Sequence, residues 1–294
     1  MLKVRIGIGM GAVGPEPGFA GVIDLLEANG IDSVCLSERV HAPAVDPWVG
    51  LSFAAARTRR LKLGTGVSVL PGRNPVLVAK QVASLRELAP GRVLPAFGLQ
   101  PAVERERAYY PIPDRRRGAV FDESLTVVRG LLENAEFSFD GEYFQLDRAS
   151  TGFAPHGLDL WLGGSGPLAL SRIGRLADGW LASFISPAEA EAGRSVIEAA
   201  AAEAGRTIDE DHYGMNIFLA QDGRAGTAAL MAARRRPDLD ARLLIAESWG
   251  DARRLIHDFI AAGVSKFVVH SAPEPTSWQD FLVRFSAELG PLQH

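Results

Sequence analysis

Short β-rich runs alternate with helical stretches along most of this chain, and such alternation is typical of parallel βα units. Some of the helical stretches end at a glycine, as the predicted helix 19–29 does at Gly30. The hydrophobic pattern predicts eight strands, at residues 4–9, 33–37, 61–69, 92–98, 158–162, 179–182, 212–220 and 265–270.

Eight strands with intervening helices in 294 residues predict one (β/α)8 TIM barrel, an α/β fold, spanning residues 1–294. An open doubly wound sheet is the alternative, and it usually carries an early Gly-x-Gly-x-x-Gly fingerprint. The glycines at positions 7, 9, 11 and 14 lack that spacing. The stretches near 100–150 and 222–250 exceed a simple crossover, so we interpret them as insertions on the barrel. The first is predicted to hold a helix at 117–133 and a hairpin at 137–144.

Composition narrows the class of protein without adding a mechanism. Apolar residues make up 47% and charged residues 22%, which is an ordinary globular balance. A net charge of −4 gives no reason to expect nucleic acid or an acidic membrane as a partner. No apolar run is long enough to span a bilayer, and the N-terminus lacks a signal-peptide pattern. Cys35 is the one cysteine, which excludes intrachain disulfides and cysteine metal clusters, so a cytoplasmic enzyme is expected.

The strongest candidate site is the glycine turn Gly163-Gly164-Ser165-Gly166, between a predicted strand and a predicted helix. A glycine turn lets the backbone approach a ligand, and a helix start offers free N–H groups and a positive dipole end. Pro167 suits the first helical turn, where its missing N–H is not needed. This pattern predicts a phosphate site, and the alternative is a tight βα turn without a ligand.

Glu38, Arg39 and His41 follow the second predicted strand, at the end of the barrel where such folds carry their chemistry. They could transfer a proton or hold an anion, and the alternative is a surface ion pair. Nothing in the spacing completes a metal site or a Ser-His-Asp set. His270 ends the eighth predicted strand and borders the same region.

Glycines in the third and fourth predicted strands indicate a bulge or the close approach of another group, or else simple packing. They occur in the run Gly64-Thr65-Gly66-Val67-Ser68 and at Gly98. Gln100, just after the fourth strand, offers an amide to a ring carbonyl.

Taken together, these segments resemble the luciferase-like monooxygenase family, which includes flavin-dependent monooxygenases and deazaflavin-dependent oxidoreductases. Each segment is weakly specific, but their order and spacing are strong, and they cover nearly the whole chain. The matching segments are 30–39, 63–67, 73–81, 91–98, 117–123, 139–141, 160–164 and 177–180.

The resemblance implies a barrel with insertions, usually a homodimer, with the cofactor ring in the barrel mouth. The cofactor phosphate would lie near Gly163, Gly164, Ser165 and Gly166. A bulge after the third strand, often with a non-proline cis peptide, backs the ring in this family. The matching bond here is Gly66–Val67, so Gly66, Val67 and Ser68 would support the ring.

Departures from the family pattern concern the proton donor. Many deazaflavin-dependent members carry Asp-His where this chain has Glu38-Arg39. Glu38 could replace the aspartate, but Arg39 stays protonated and cannot replace a titrating histidine. His41 lies two residues on, out of register for a simple exchange. We therefore assign proton transfer to Glu38 and anion or ring-carbonyl contacts to Arg39, with His41 as a possible participant.

The resulting hypothesis is an oxidoreductase that transfers hydride between reduced coenzyme F-420 (F420, a deazaflavin) and a small organic substrate. One alternative is an FMN-dependent monooxygenase that receives reduced flavin from a separate reductase. The other is a non-catalytic protein that binds the cofactor. The sequence identifies no substrate.

Overall fold

The strands of the barrel are short and follow one another around a closed ring. The computed structural model describes residues 2–14, 16–101, 103–112, 116–221 and 226–294. The strands in these ranges are β1 (Arg5–Met10), β2 (Ser33–Leu36), β3 (Lys62–Thr65), β4 (Ser68–Val69), β5 (Val93–Leu94), β6 (Ala96–Gly98), β7 (Phe137–Asp140), β8 (Gln145–Ala149), β9 (Trp161–Gly163), β10 (Gly179–Ala182), β11 (Tyr213–Ala220), β12 (Ile245–Ala246) and β13 (Lys266–Ala272).

The parallel pairings close an eight-stranded barrel, which confirms the predicted fold. Two barrel strands are interrupted: β3 and β4 are halves of the third, and β5 and β6 are halves of the fourth. Pairings run from β1 through β2 and β3 to β5, and from β4 through β6, β9, β10, β11 and β13 back to β1. Pro95 separates β5 from β6, as expected for a residue that cannot donate to a strand ladder.

Helices cover the outside of the ring. Those of the described ranges are α1 (Gly18–Ala28), α2 (Pro47–Arg57), α3 (Pro75–Leu88), α4 (Arg117–Glu133), α5 (Pro167–Leu176), α6 (Pro187–Glu203), α7 (Thr227–Arg235), α8 (Trp249–Ala261) and α9 (Trp278–Leu289). The bounds of α4 match the sequence prediction, whereas α2, α6 and α9 were not predicted. Clear start signals precede all three: Asp46 caps α2, Ser186 with Glu189 forms a capping box on α6, and Ser277 caps α9.

Side-chain alternation along the strands separates two cores. Because successive strand residues point to opposite faces, one set fills the barrel and the other packs under the helices. Cys35, Ala96, Leu181 and Val268 form the buried cluster inside the barrel. Their neighbours along each strand, such as Leu36 and Phe267, belong to the larger core beneath the helices.

The two predicted insertions contain structure of their own. The first holds a 3₁₀ helix (Glu104–Tyr109), α4 and the antiparallel hairpin β7–β8, in which Asp140 pairs with Gln145 across the predicted Asp-Gly turn. The second holds α7 and the short strand β12, which pairs with β11. Residues 102, 113–115 and 222–225 of these insertions lie outside the described ranges. Among the described helices, none is both long and apolar enough to cross a bilayer.

Candidate active site

A cavity of about 980 Å³ opens at the carboxyl ends of the barrel strands. Parallel barrels collect their functional loops at this end, and the volume falls in the range of small-molecule sites. The predicted site residues that line it are Glu38, Arg39, Gly66, Val67, Gly98, Gln100, Gly163, Gly164, Ser165 and Gly166. Two others do not border it among the described lining residues: Ser68 lies behind the wall, and His41 faces another segment.

The predicted phosphate turn joins β9 to α5. Gly164 has φ +124°, a backbone conformation that side chains rarely adopt, and its carbonyl accepts a hydrogen bond of 2.7 Å from Trp180 Nε1. No side chain caps α5, and its first turn contains no acidic residue. Pro167 has no N–H, and the Ala169 N–H donates to Gly166 O at 2.9 Å, so the N–H of Leu168 and those of the turn before Pro167 are the groups available to an anion. The Trp180 indole anchors this turn.

Val67 forms the floor of the cavity beside this turn. The Gly66–Val67 peptide bond is cis, as the family resemblance predicted. A Cβ at Gly98 would lie 2.6 Å from Val67 Cγ2, and a Cβ at Gly163 would lie 3.2 Å from Val67 Cγ1. The glycines at positions 98 and 163 therefore make room for the valine side chain, which forms an apolar surface of the cavity.

Glu38 lies behind that surface, with its carboxylate surrounded by donors. Its side chain is 3% exposed. Oε2 accepts hydrogen bonds from the Val69 N–H at 2.6 Å and from Ser68 Oγ at 3.1 Å, and Oε1 pairs with the Arg73 guanidinium. This carboxylate fixes β4 immediately after the Gly66–Val67 bond. Its oxygens are occupied by the protein, so the predicted proton-transfer role of Glu38 gains no support from the geometry.

His41 and Arg39 follow Glu38 but face different surroundings. The His41 backbone N–H donates to Glu106 Oε1 at 2.8 Å, and its ring Nδ1 contacts the same carboxylate. His41 thus attaches the loop after β2 to the 3₁₀ helix of the first insertion. Arg39 is exposed and reaches the cavity, and its guanidinium makes no hydrogen bond or ion pair within the described residues.

The wall opposite Val67 comes from β11, β13 and β1, and the sequence predictions named little of it. Phe218 and His270 are paired in register, and so are His270 and Gly9. The His270 ring stacks on Phe218 at 5.0 Å, and Phe218 stacks on Phe184 at 4.6 Å. The sequence contains one signal for this wall. After its first residue, Tyr213, the strand YGMNIFLA has a single polar side chain, that of Asn216.

His270 is the titratable residue of this wall. Burial, and then the positive charge of Arg39, lower the pKa of His270 to about 4. Nε2 of the ring lies 2.8 Å from Asn216 Oδ1. The side chain is therefore a neutral imidazole at neutral pH, held at the edge of the cavity.

The comparison with protein families agrees with the fold. A model of the luciferase-like monooxygenase family matches residues 15–235, so the chain belongs to this family. An F420-dependent glucose-6-phosphate dehydrogenase from Nakamurella multipartita is 32% identical over 166 residues, which are 53% of this chain and 48% of that protein. The chain thus spans about half the length of the curated relatives it matches.

Solved structures extend the likeness of the fold to the whole chain. A monooxygenase from Streptomyces bottropensis has a TM-score of 0.80 at 21% identity, covering 98% of this chain and 99% of that one. An F420-dependent secondary alcohol dehydrogenase, solved with an F420–acetone adduct, has a TM-score of 0.79 at 20% identity and covers 98% of both chains. At these identities the likeness concerns the fold alone, and this fold occurs both in a monooxygenase and in an F420-dependent dehydrogenase.

Proposed function

We propose that this protein is an oxidoreductase that transfers hydride between coenzyme F-420 and a small organic substrate. The observation that carries the proposal is the cavity itself, which runs from the Val67 surface to the uncapped start of α5. An apolar floor suits the face of a planar ring, and the free N–H groups of the turn before Pro167 and of Leu168 suit the phosphate of its tail. The F420-dependent relative that shares about a third of its residues over half the chain supports the choice of cofactor.

The bound deazaflavin would supply the hydride chemistry, and the protein would position the ring and exclude water. Val67, with Gly98 and Gly163 beneath it, would support one face of the ring. Glu38 would hold this surface in place through Ser68 and Val69. The backbone from Gly163 to Gly166 would bind the phosphate, and Gln100 at the cavity edge could donate to a ring carbonyl.

Position 166 offers a sharp test of the phosphate site. Gly166 is the N-cap of α5, and a Cβ there meets nothing within 4 Å. Gly166→Asp adds a carboxylate where the phosphate would bind, yet aspartate is itself a good N-cap, so the fold should keep its stability. We expect fluorescence titration to show at least about tenfold weaker F-420 binding, which corresponds to ~1.4 kcal/mol.

The matched control is Gly166→Asn, which caps the helix without a charge. It should bind F-420 more tightly than Gly166→Asp and unfold at the same temperature. Equal affinities for the two variants would show that no anion binds at α5. Failure of the unmodified protein to bind F-420 at micromolar concentrations would overturn the proposed function itself.

The same titration with FMN separates the proposal from its main alternative. FMN also carries a phosphate, and the family includes flavin-dependent monooxygenases. Micromolar binding of FMN with none of F-420 would assign oxygen-dependent chemistry, with a separate reductase as the partner that supplies reduced flavin. Cofactor binding with no hydride transfer to or from any substrate would favour a non-catalytic binding protein.

We further propose that the protein is cytoplasmic and forms a homodimer. The exposed apolar side chains on α2 and α3 support the dimer. Val49 and Phe53 of α2 are 65% and 43% exposed, and Leu77 of α3 is 64% exposed. Neighbouring exposed apolar groups of this size are common at protein interfaces. Light scattering should give twice the monomer mass, and Val49→Lys should shift the protein toward monomer; a monomeric unmodified protein would refute the dimer.

A further inference from the structure

The wall that faces Val67 contains His270, and its ring has room there because the neighbouring residue in the adjacent strand is a glycine. Gly9 lies beside His270 in the adjacent strand. A Cβ on Gly9 would lie 2.0 Å from His270 Cε1 and 2.3 Å from Nδ1. The imidazole therefore occupies the space that any other residue at position 9 would fill. With Phe218 stacked on it, the ring is held at a fixed place on the cavity wall.

The hydrogen bonds of Asn216 fix the tautomer of this ring. The Asn216 amide nitrogen donates to Ala182 O at 3.2 Å and to Ser183 Oγ at 2.9 Å. Its Oδ1 is therefore the atom that meets His270 Nε2, and an amide oxygen only accepts. Nε2 must carry the hydrogen, so Nδ1 of the neutral ring has a free lone pair.

That lone pair is open to the cavity. Nδ1 makes no hydrogen bond within the described part of the chain. It is not among the fully buried polar atoms without a partner there, so it keeps some exposure to the cavity. His270 itself lines the cavity, together with Gly9 and Asn216. A neutral base with a fixed tautomer thus faces the space between the cofactor surface and the opposite wall.

We propose that His270 is the proton-transfer residue of this protein and that its substrates are alcohols and the corresponding carbonyl compounds. The inference rests on the proposed function, since it needs the bound deazaflavin as hydride acceptor. During alcohol oxidation the carbinol C–H bond breaks and its hydride passes to the oxidised deazaflavin, while the hydroxyl proton passes to Nδ1. The alcohol becomes a ketone or aldehyde, the cofactor is reduced, and the reverse reaction returns both.

The surroundings of His270 favour this role over simple packing. Arg39 faces the ring and contributes a positive charge that opposes its protonation, and Arg235 lies near Arg39. The ring is therefore neutral, with its Nδ1 lone pair available, throughout the neutral range. Because the same burial and charge make it a weak base, it takes the hydroxyl proton only as the hydride leaves and the hydroxyl becomes strongly acidic. Packing alone would need neither an amide that fixes the tautomer nor an open nitrogen.

The state of the ring can be measured without any substrate. In protein labelled with ¹⁵N-histidine, NMR should show His270 as the Nε2–H tautomer from pH 5.5 to 8, with the His270→Gln variant identifying its signals. A ring that carries its hydrogen on Nδ1 would overturn the proposal, because no lone pair would then face the cavity.

Hydride transfer is measured as the loss of oxidised F-420 absorbance with 2-propanol, cyclohexanol and benzyl alcohol as probes. His270→Gln should lower kcat/KM by about 10²- to 10⁴-fold while the Kd for F-420 stays within about twofold. His257→Gln, at an exposed position of α8, should match the unmodified protein. An unchanged rate in His270→Gln would overturn the proposal.

Gly9→Ala is a second variant that keeps the imidazole but displaces it. Because misplacement by about 1 Å can cost a hundredfold in rate, we expect a loss of about 10- to 100-fold with F-420 binding retained. Binding of F-420 without turnover of any probe alcohol would overturn the inference about His270 and leave the proposed cofactor standing. Absence of F-420 binding would instead overturn the proposed function.

Discussion

Strands β2 and β13 each bring a titratable side chain to the barrel mouth: Glu38 lies two residues after β2, and His270 lies two residues before the end of β13. The surroundings of these two side chains differ in one decisive respect. Both oxygens of Glu38 have partners in the protein: Oε2 accepts hydrogen bonds from Ser68 and Val69, and Oε1 forms an ion pair with Arg73. His270 uses one ring nitrogen to contact Asn216 and keeps the other open. A residue can transfer protons only if substrate reaches its lone pair, so position at the end of a strand is not enough.

Replacing Glu38 should produce the largest change in stability. Glu38→Gln leaves the Arg73 guanidinium without its carboxylate and presents an amide to the donors around it, so we expect a loss of about 2–3 kcal/mol in the free energy of unfolding. Urea denaturation followed by circular dichroism measures this loss. Glu104→Gln is the matched control, because the Glu104 side chain is 86% exposed.

Hydride-transfer rates of the same variant sharpen the comparison. Glu38→Gln that is still folded should bind F-420 and lose far less activity than His270→Gln. An unchanged stability combined with a complete loss of hydride transfer would reverse the comparison. It would make Glu38 the proton donor, as the sequence alone suggested.

The second prediction concerns the pH dependence of stability. The pKa of His270 is about 4 in the folded protein and 6.5 when unperturbed. Between these values the unfolded chain binds more protons than the folded one, so the free energy of unfolding falls as pH falls from 6.5 to 4. Because the ring borders an open cavity, we expect its contribution to be about 1–2 kcal/mol, discounted for solvent from the ~3 kcal/mol of a shielded group.

Urea denaturation at pH 7 and pH 4.5 tests this contribution. The loss of stability on acidification should be smaller in His270→Gln than in the unmodified protein, whereas His257→Gln should behave like the unmodified protein. Equal losses in all three proteins would mean that His270 titrates in the same range when folded and unfolded. The distinction drawn between its buried ring and an ordinary surface histidine would then be wrong.

Sequence reasoning succeeded where the backbone alone determines the structure. The eight strands, the helix at 117–133 and the uncapped helix start after Gly166 follow from periodicity, glycine and proline. The Gly66–Val67 bond was identified through the family resemblance. Gly98 and Gly163 line the cavity, but the way they accommodate Val67 depends on three separate strands meeting in space, which the sequence does not reveal.

The surroundings of His270 and Glu38 could not be predicted from the sequence, because they arise from contacts between segments that are distant along the chain. The eighth strand runs two residues past its predicted end at His270, to Ala272, but His270 does border the cavity. Nothing near it in sequence reveals Gly9, Asn216 or Phe218 beside it. Likewise, the sequence left open whether Glu38 is a proton-transfer residue or part of an ion pair, because its partner Arg73 lies 35 positions away. Chemical state depends on such neighbours, and strand order alone leaves it open.

The smallest predicted effect links the two strand ends directly. Arg39 follows Glu38 at the end of β2, and its charge is the second cause, after burial, of the lowered pKa of His270. Arg39→Met should therefore raise the pKa of His270, and since burial remains the larger cause, the value should stay below 6.5. NMR titration of ¹⁵N-histidine measures this shift, and Arg39→Lys, which keeps the charge, should shift it less. If both variants leave the pKa of His270 unchanged, burial alone keeps its ring neutral. Arg39, which stands where many deazaflavin-dependent members carry histidine, would then have no electrostatic influence on His270.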